Sequence, residues 1–388
     1  MKILDIREKS VKLRADIQNS VVSFDSHDVS LVAILTDRVI DGKPVTGFGF
    51  NSIGRFAQGG LMRERFFPRL LAIDADELID EESRLFAIDR IRKRLMQNEK
   101  PGGHGCRASA VSAIELALWD ANAKIAGLPA YRLIADTFGT KDLPKSIPVY
   151  AAGGYYSFDG DLNSLSEEIA SYRDSGYNYF KMKIGGSNLK ADVSRVEAAI
   201  RGAGAAERLA VDANGRFNLE TAIAYGRALE PFGLRWYEEA GDPLDYALNA
   251  ALAESYSGRL ATGENLFSAQ DVRNLVRYGG MRPGLDYFQM DPGLSYGLFE
   301  YAEMISVLEA AGHDRMQVHP HGGHVIGLHV AMGLGLGGCE AYPGVFEPFG
   351  GYPEACGVGD GSVTPTSAPG FGIEEKKGLS EHLAEIVA

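Results

Sequence analysis

Lys183, Asp212, Glu238, Glu264, Asp291 and His321 follow one another at intervals of 26 to 30 residues, each at or just after the end of a short apolar run. That interval is one strand plus one helix, so the six side chains are expected at equivalent places on successive units. Asp212, Glu238 and Glu264 would then converge. Three bare carboxylates at one spot repel and raise each other's pKa values unless a cation holds them. Oxygen-only donors favour a hard divalent ion, and three carboxylates with room for water and substrate suit Mg²⁺ better than Zn²⁺. One Mg²⁺ per chain is expected. Three solvated strand-end acids are the bland alternative, and the matching register of all three argues against it.

Lys181-Met182-Lys183 lies one unit before the acids, and strand alternation puts both lysines on the face that points inward. A lysine acting as a base must be neutral. A second ammonium and a divalent cation nearby would lower its pKa. Asp291 and His321 lie one unit apart, and an Asp–His pair fixes the imidazole tautomer and makes it more basic. His319 shares the face of His321, but His321 starts the loop and is the better candidate. Lys183, His321, Asp291 and Lys181 are thus the expected catalytic group. Glu340, on the last apolar run, could bond a substrate carboxylate oxygen if protonated, or serve the structure.

The elements that carry these residues read as eight strands, beginning at Pro148, Tyr179, Leu209, Arg235, Leu260, Tyr287, Met316 and Cys339, with a helical pattern between each successive pair. Alternating strand and helix implies right-handed parallel crossovers, and eight strands close a barrel. The expected fold class is α/β: a (β/α)7β modified TIM barrel over residues 145–354. Before it, strand-like runs flank the turn Ile40-Asp41-Gly42-Lys43, and apolar residues recur at helical spacing from Asp76 to Met96 and from Ala108 to Ala126. This predicts an α+β capping domain over residues 1–140, completed by a C-terminal tail from about 355 to 388.

The 388 residues and 45% hydrophobic content suit such a barrel with a second domain. A net charge of −13 argues against nucleic-acid or anionic-membrane partners. The partner expected is a small carboxylic acid, for which the metal and local lysines must reverse the field. Three cysteines form no disulfide framework and the start is charged throughout, so a cytoplasmic setting is expected. Two motifs mislead. Gly333-Leu334-Gly335-Leu336-Gly337-Gly338 fits G-x-G-x-x-G but ends a helix before a strand, the reverse of a dinucleotide site. His319-Pro320-His321-Gly322-Gly323-His324 looks like a zinc cluster but lacks cysteine partners.

Taken together, the lysine pair, the three acids, the Asp291–His321 pair and the stretch Ala113-Ile114-Glu115-Leu116-Ala117-Leu118-Trp119-Asp120 resemble the mandelate-racemase subgroup of the enolase superfamily. The resemblance implies that Mg²⁺ on Asp212, Glu238 and Glu264 binds a substrate carboxylate and stabilises the enediolate formed by loss of the α-proton. It implies capping loops that choose the substrate, near Asn19 and along Asn51-Ser52-Ile53-Gly54-Arg55, so Asn51, Arg55, Lys181 and Glu340 are the expected substrate contacts. Dehydration of an acid sugar or hydroxy diacid is the expected reaction, D-tartrate to oxaloacetate foremost, with racemisation of a 2-hydroxy acid on the same groups as the alternative. A metal-free phosphate-binding barrel leaves the three acids unexplained, and a non-catalytic binding barrel predicts no dependence on Mg²⁺ or Lys183. Barrels of this type commonly assemble as homo-oligomers, which is expected here too.

Overall fold

The computed structural model describes every residue except Gly103 and residues 157–160. Strands β1 (Ile3–Lys12), β2 (Asp28–Ile40) and β3 (Lys43–Phe50) form an antiparallel sheet. The β2–β3 turn holds Asp41 and Gly42 at φ 50° and 76°, the left-handed pair whose twist matches the flanking strands. One face of the sheet packs on a helix, Gly105–Ala126, whose residues Ala108 to Ala123 are all buried. The approach is close: a Cβ on Gly49 would lie 2.5 Å from the Ala113 carbonyl oxygen. Buried Asp120 on that helix accepts the N–H of Phe48 at 2.8 Å and of Phe371 at 2.7 Å, tying the sheet to the chain's tail.

The stretch expected as one helix from Asp76 to Met96 is broken. It forms Ala75–Leu78 and Ile88–Leu95, separated by a bridge between Ile79 and Phe86. Asp80 accepts the Ser83 N–H at 2.8 Å and Arg84 takes φ 60°, a local turn that outcompetes the helix. A further helical run from Gly59 to Leu71, with a wide turn at Met62–Phe66, carries no clear sequence period.

The barrel strands are β4 (Ile147–Gly153), β5 (Tyr179–Lys183), β6 (Leu209–Asp212), β7 (Tyr237–Glu238), β8 (Leu260–Thr262), β9 (Tyr287–Phe288) and β10 (Cys339–Ala341), parallel throughout. Helices Leu162–Asp174, Leu189–Ala203, Leu219–Leu229, Tyr246–Ser255, Ala269–Tyr278, Leu298–Ala310 and Val325–Leu334 connect the units. The strand expected at Met316 shrinks to a single bridge, Val318 to Phe288, because Arg315–Gln317 is a 3₁₀ turn started by the Asp314 side chain on the Met316 N–H. The ring still closes. The His319 N–H donates to the Phe288 carbonyl at 2.8 Å, the Glu340 N–H to the Pro320 carbonyl at 3.1 Å, and β10 pairs with β4.

After β10 the tail does not go straight to the capping sheet. β11 (Val358–Gly359) first pairs antiparallel with β12 (Ser362–Val363), which adds antiparallel to β4. The last helix, Ser380–Val387, then lies on β1, where Arg7 Nη1 donates to the Ile386 carbonyl at 3.2 Å. The apolar run from Val325 is a fully buried helix ending at Gly335 (φ 64°), so the glycine-rich stretch is a helix end and a turn into β10. Among the described residues no helix is long and apolar enough to cross a membrane.

Candidate active site

Register places the first three functional residues. Lys183 on β5 is opposite Asp212 on β6, and Asp212 is opposite Glu238 on β7. Glu264, Asp291 and His321 lie in the turns just beyond β8, β9 and the Val318 bridge, and His321 starts its loop as expected. Gly263 makes the turn before Glu264 at φ 130°, where a Cβ would stand 3.0 Å from the Gln289 nitrogen. One carboxylate oxygen from each of Asp212, Glu238 and Glu264 lies within 4.8 Å of the others.

The donor set fits a hard divalent cation. Its three groups are all carboxylates, and Glu264 Oε2 is buried with no hydrogen-bond partner among the described residues. Burial, and then the charge of Asp212, push Glu238 up to about 7 against the pull of Lys181. A cation beside Glu238 would relieve that resistance to ionisation. Glu238 is aimed by Trp236 Nε1 at 2.8 Å and Gln289 Nε2 at 2.7 Å, both donating to Oε2. Asp212 Oδ1 accepts the Asn214 N–H at 2.8 Å.

Lys183 Nζ stands 2.5 Å from Asp212 Oδ2 and 5.3 Å from the Tyr155 ring centre. Burial lowers its pKa, but Asp212 and then Tyr155 outweigh it, so the ammonium is favoured. The lowered value expected from its neighbours is therefore not met while Asp212 is free to pair with it. Lys181 differs more. Its Nζ reaches Glu238 Oε1 at 2.7 Å, Glu340 Oε1 at 2.8 Å and Asp212 Oδ2 at 3.6 Å, with 1% of the residue exposed. It does not line the cavity and is instead a buried counter-charge to three acids. Glu340 is correspondingly ionised, not protonated: against burial, Lys181 and then His321 hold it down at about 2. It accepts the Gly322 N–H at 2.9 Å and supports the loop that carries His321.

His321 Nδ1 meets Asp291 Oδ2 at 2.8 Å, so its Nε2 faces the cavity, 3.5 Å from Glu264 Oε2. Burial depresses the imidazole, but Glu264, Glu340 and Asp291 overcome this and raise it to about 9. The neighbouring histidines go elsewhere. His319 packs edge-on to Trp236 and Tyr287 and is pushed down to about 3 by burial. His324 bonds Ser52 Oγ at 3.0 Å and caps the helix that begins at Val325. No three-histidine ligand set forms.

Lys183, His321 and Glu264 open onto one cavity of about 250 Å³, closed on the capping side by Asn19, Phe24, Ile53 and Arg55. Arg55 donates to the Gly54 carbonyl at 2.7 Å and to Asn265 Oδ1, and has no carboxylate partner among the described residues. Asn51 is not at the cavity. It is fully buried, accepting the Ser30 N–H at 2.7 Å and donating to the Arg55 and Phe56 carbonyls, so it shapes the loop that presents Arg55. Sequence reasoning missed Tyr155, Asn214, Glu239, Asn265 and Tyr342, which also line the cavity. Four of the five sit one or two residues past a singled-out acid, which was the available signal. Asn214 and Glu239 take φ 49° and 40°, left-handed values that side chains adopt at a cost where a site demands it.

Residues 164–378 match the family model described as Enolase C-terminal domain-like. The chain is 29% identical over 355 residues to the 3,6-anhydro-alpha-L-galactonate cycloisomerase of Streptomyces coelicolor, covering 88% of each. It is 31% identical over 263 residues to the L-talarate/galactarate dehydratase of Salmonella typhimurium, 68% of this chain and 62% of that one. A racemase from Streptomyces coelicolor A3(2), solved with bound magnesium, superposes with a TM-score of 0.78 at 25% identity over 99% of each chain. With the (β/α)7β ring, the convergent acids and the facing lysine and histidine, the chain belongs to the Enolase C-terminal domain-like family of the enolase superfamily.

Proposed function

We propose that this protein is a Mg²⁺-dependent dehydratase of an acid sugar or hydroxy diacid, with D-tartrate to oxaloacetate as the specific reaction. The observation that carries the reading is the opening of Lys183, His321 and Glu264 onto a single cavity, with Glu264 converging on Asp212 and Glu238. Asp212, Glu238 and Glu264 would hold the ion, which when bound supplies positive charge against the carboxylate of the substrate and the charge that develops as its α-proton leaves.

Lys183 Nζ, neutral once Asp212 is drawn to the ion and the ammonium has released its proton, takes the α-proton, and the electron pair left on that carbon moves into the carboxylate to give an enediolate. As that pair returns to form the carbon–carbon double bond, the bond to the β-hydroxyl breaks. His321 Nε2 gives its proton to the departing oxygen, and water leaves. Asp291 keeps the other imidazole nitrogen protonated and the ring aimed. The enol product then tautomerises to a 2-keto acid. A cavity below the usual 300 to 1,000 Å³ of drug-sized ligands, with Arg55 on its capping side, supports a short acid with a second carboxylate. The relative named as a talarate/galactarate dehydratase supports dehydration over racemisation.

The test is a screen of the purified protein with Mg²⁺ against acid sugars and hydroxy diacids, all tartrate stereoisomers included, reading 2-keto acid as its semicarbazone. Keto acid formation that EDTA and Lys183→Ala both abolish is the expected result. No keto product from any acid ends the dehydratase reading. Deuterium exchange at the α-carbon without product would then favour a racemase.

A further inference from the structure

His321 is fixed at both ends, and only one end was foreseen. Nδ1 is held by Asp291, whereas Nε2 lies 3.1 Å from the hydroxyl of Tyr342, the residue that follows β10. Tyr342 is itself fixed. It is 2% exposed, its ring lies 4.8 Å from that of Phe346, and its backbone N–H donates to the Gly323 carbonyl at 3.3 Å. Gly323, at φ 55°, leaves room for it: a Cβ there would stand 2.5 Å from Tyr342 Cγ. Among the described residues its hydroxyl has no other hydrogen-bond partner. The two further groups near Nε2 are acids, Glu264 Oε2 at 3.5 Å and Glu340 Oε2 at 3.9 Å. Glu264 belongs to the proposed ion, and Glu340 is already occupied by Lys181 and the Gly322 N–H.

We infer that Tyr342 is the positioning residue of the general acid: its hydroxyl oxygen accepts from His321 Nε2–H and holds that proton facing the cavity until the departing hydroxyl replaces it. Asp291 alone leaves the ring free to swing about one bond, and Glu264 would draw Nε2–H toward the acids. A neutral oxygen beside the cavity holds the proton without competing for it, because a phenol is far too weak a base to keep it. The inference rests on the general-acid role proposed for His321, and one of its two readouts does not.

The variant is Tyr342→Phe, which keeps the ring packed on Phe346 and removes only the hydroxyl. In protein labelled with ¹⁵N-histidine, one Nε2 signal, assigned by its loss in His321→Asn, shifts on Tyr342→Phe in the absence of any substrate. In turnover, kcat for keto acid falls about ten- to a hundredfold while KM stays within about threefold, the cost of a misaimed proton donor. Washout of the α-hydrogen into D₂O, which depends on Lys183, continues near the wild-type rate. An unmoved His321 signal or an unchanged kcat overturns the inference. Equal loss of washout and turnover overturns it too, because that marks general damage to the site. If the wild-type protein makes no keto acid, the proposed function has failed, and the histidine spectrum still decides whether Tyr342 holds His321.

Discussion

Lys183 Nζ and Asp212 Oδ2 stand 2.5 Å apart, so the proposed base and a proposed metal ligand are an ion pair across two neighbouring strands. Ion binding and release of the lysine are thereby coupled. Asp212→Asn should abolish both Mg²⁺-dependent thermal stabilisation and turnover. Lys183→Ala should abolish turnover and keep the stabilisation, worth about 2.7 kcal/mol at a hundredfold excess of ion over its Kd. Loss of Mg²⁺ stabilisation in Lys183→Ala would contradict the division of roles.

His321→Asn should lower keto acid formation by about 10² to 10⁴ while leaving α-hydrogen washout into D₂O measurable, because the two half-reactions use different groups. The check is NMR of recovered substrate beside the semicarbazone assay. Washout lost to the same degree as turnover would mean that His321 also takes the α-proton.

Arg55 faces the cavity with a neutral amide and a carbonyl as its partners, which leaves its charge for the substrate. Arg55→Ala should reduce kcat/KM about ten- to a hundredfold for a diacid, mainly through KM, and should hardly affect a monoacid of equal length. Steady-state kinetics on the matched pair decide it.

Gly322 takes φ 107°, and a Cβ there would stand 2.4 Å from Ser52 Oγ, 2.8 Å from His324 Nε2 and 2.9 Å from Asp291 Oδ2. Gly322→Ala should therefore cost about 1 to 3 kcal/mol of stability and displace His321, with turnover falling more than stability. Urea unfolding and kcat, measured together, test both halves.

Glu115 is buried and accepts the N–H groups of Leu298 and Phe299 at the start of a barrel helix. Burial raises its carboxyl to about 7, against Arg92 and these donors. A carboxyl raised in the folded state holds its proton longer there than in the unfolded chain. Stability therefore falls as pH rises from about 4.5 to about 7 and stays at the lower level above. The full effect is at most about 3 kcal/mol. Glu115→Gln keeps an acceptor and removes the titration, so its stability relative to wild type should increase between pH 5 and pH 8. An equal difference at both pH values would refute the assignment.

The barrel and the convergence of its three acids were legible because they repeat: one strand–helix unit sets the interval, and a carboxylate at or just past three successive strand ends has few structural uses. Lys181 and Glu340 were legible as members of the site but not in their roles. Which acid an inward lysine meets depends on side chains from strands over fifty residues away, and the Lys181–Glu238 and Lys181–Glu340 pairs leave no local trace. Asn51 misled because a loop residue beside Arg55 can face the cavity or the loop's own backbone, and only the fold distinguishes them. The bridge at Val318 and the broken stretch 76–96 were settled by the Asp314 and Asp80 turns, whose side-chain bonds defeat apolar periodicity. Tyr342 sits one position beyond the last strand, where alternation no longer predicts direction.

The helix Ser380–Val387 lies on β1, and Phe371 is bonded to Asp120, so the sheet that roofs the cavity takes its last supports from the far end of the chain. During synthesis the first strands therefore keep one flank uncovered until residues 371–387 have left the ribosome. Ligand-gripping loops would be the last part to settle, which makes late assembly of the roof the step most exposed to chaperone binding and to truncated translation.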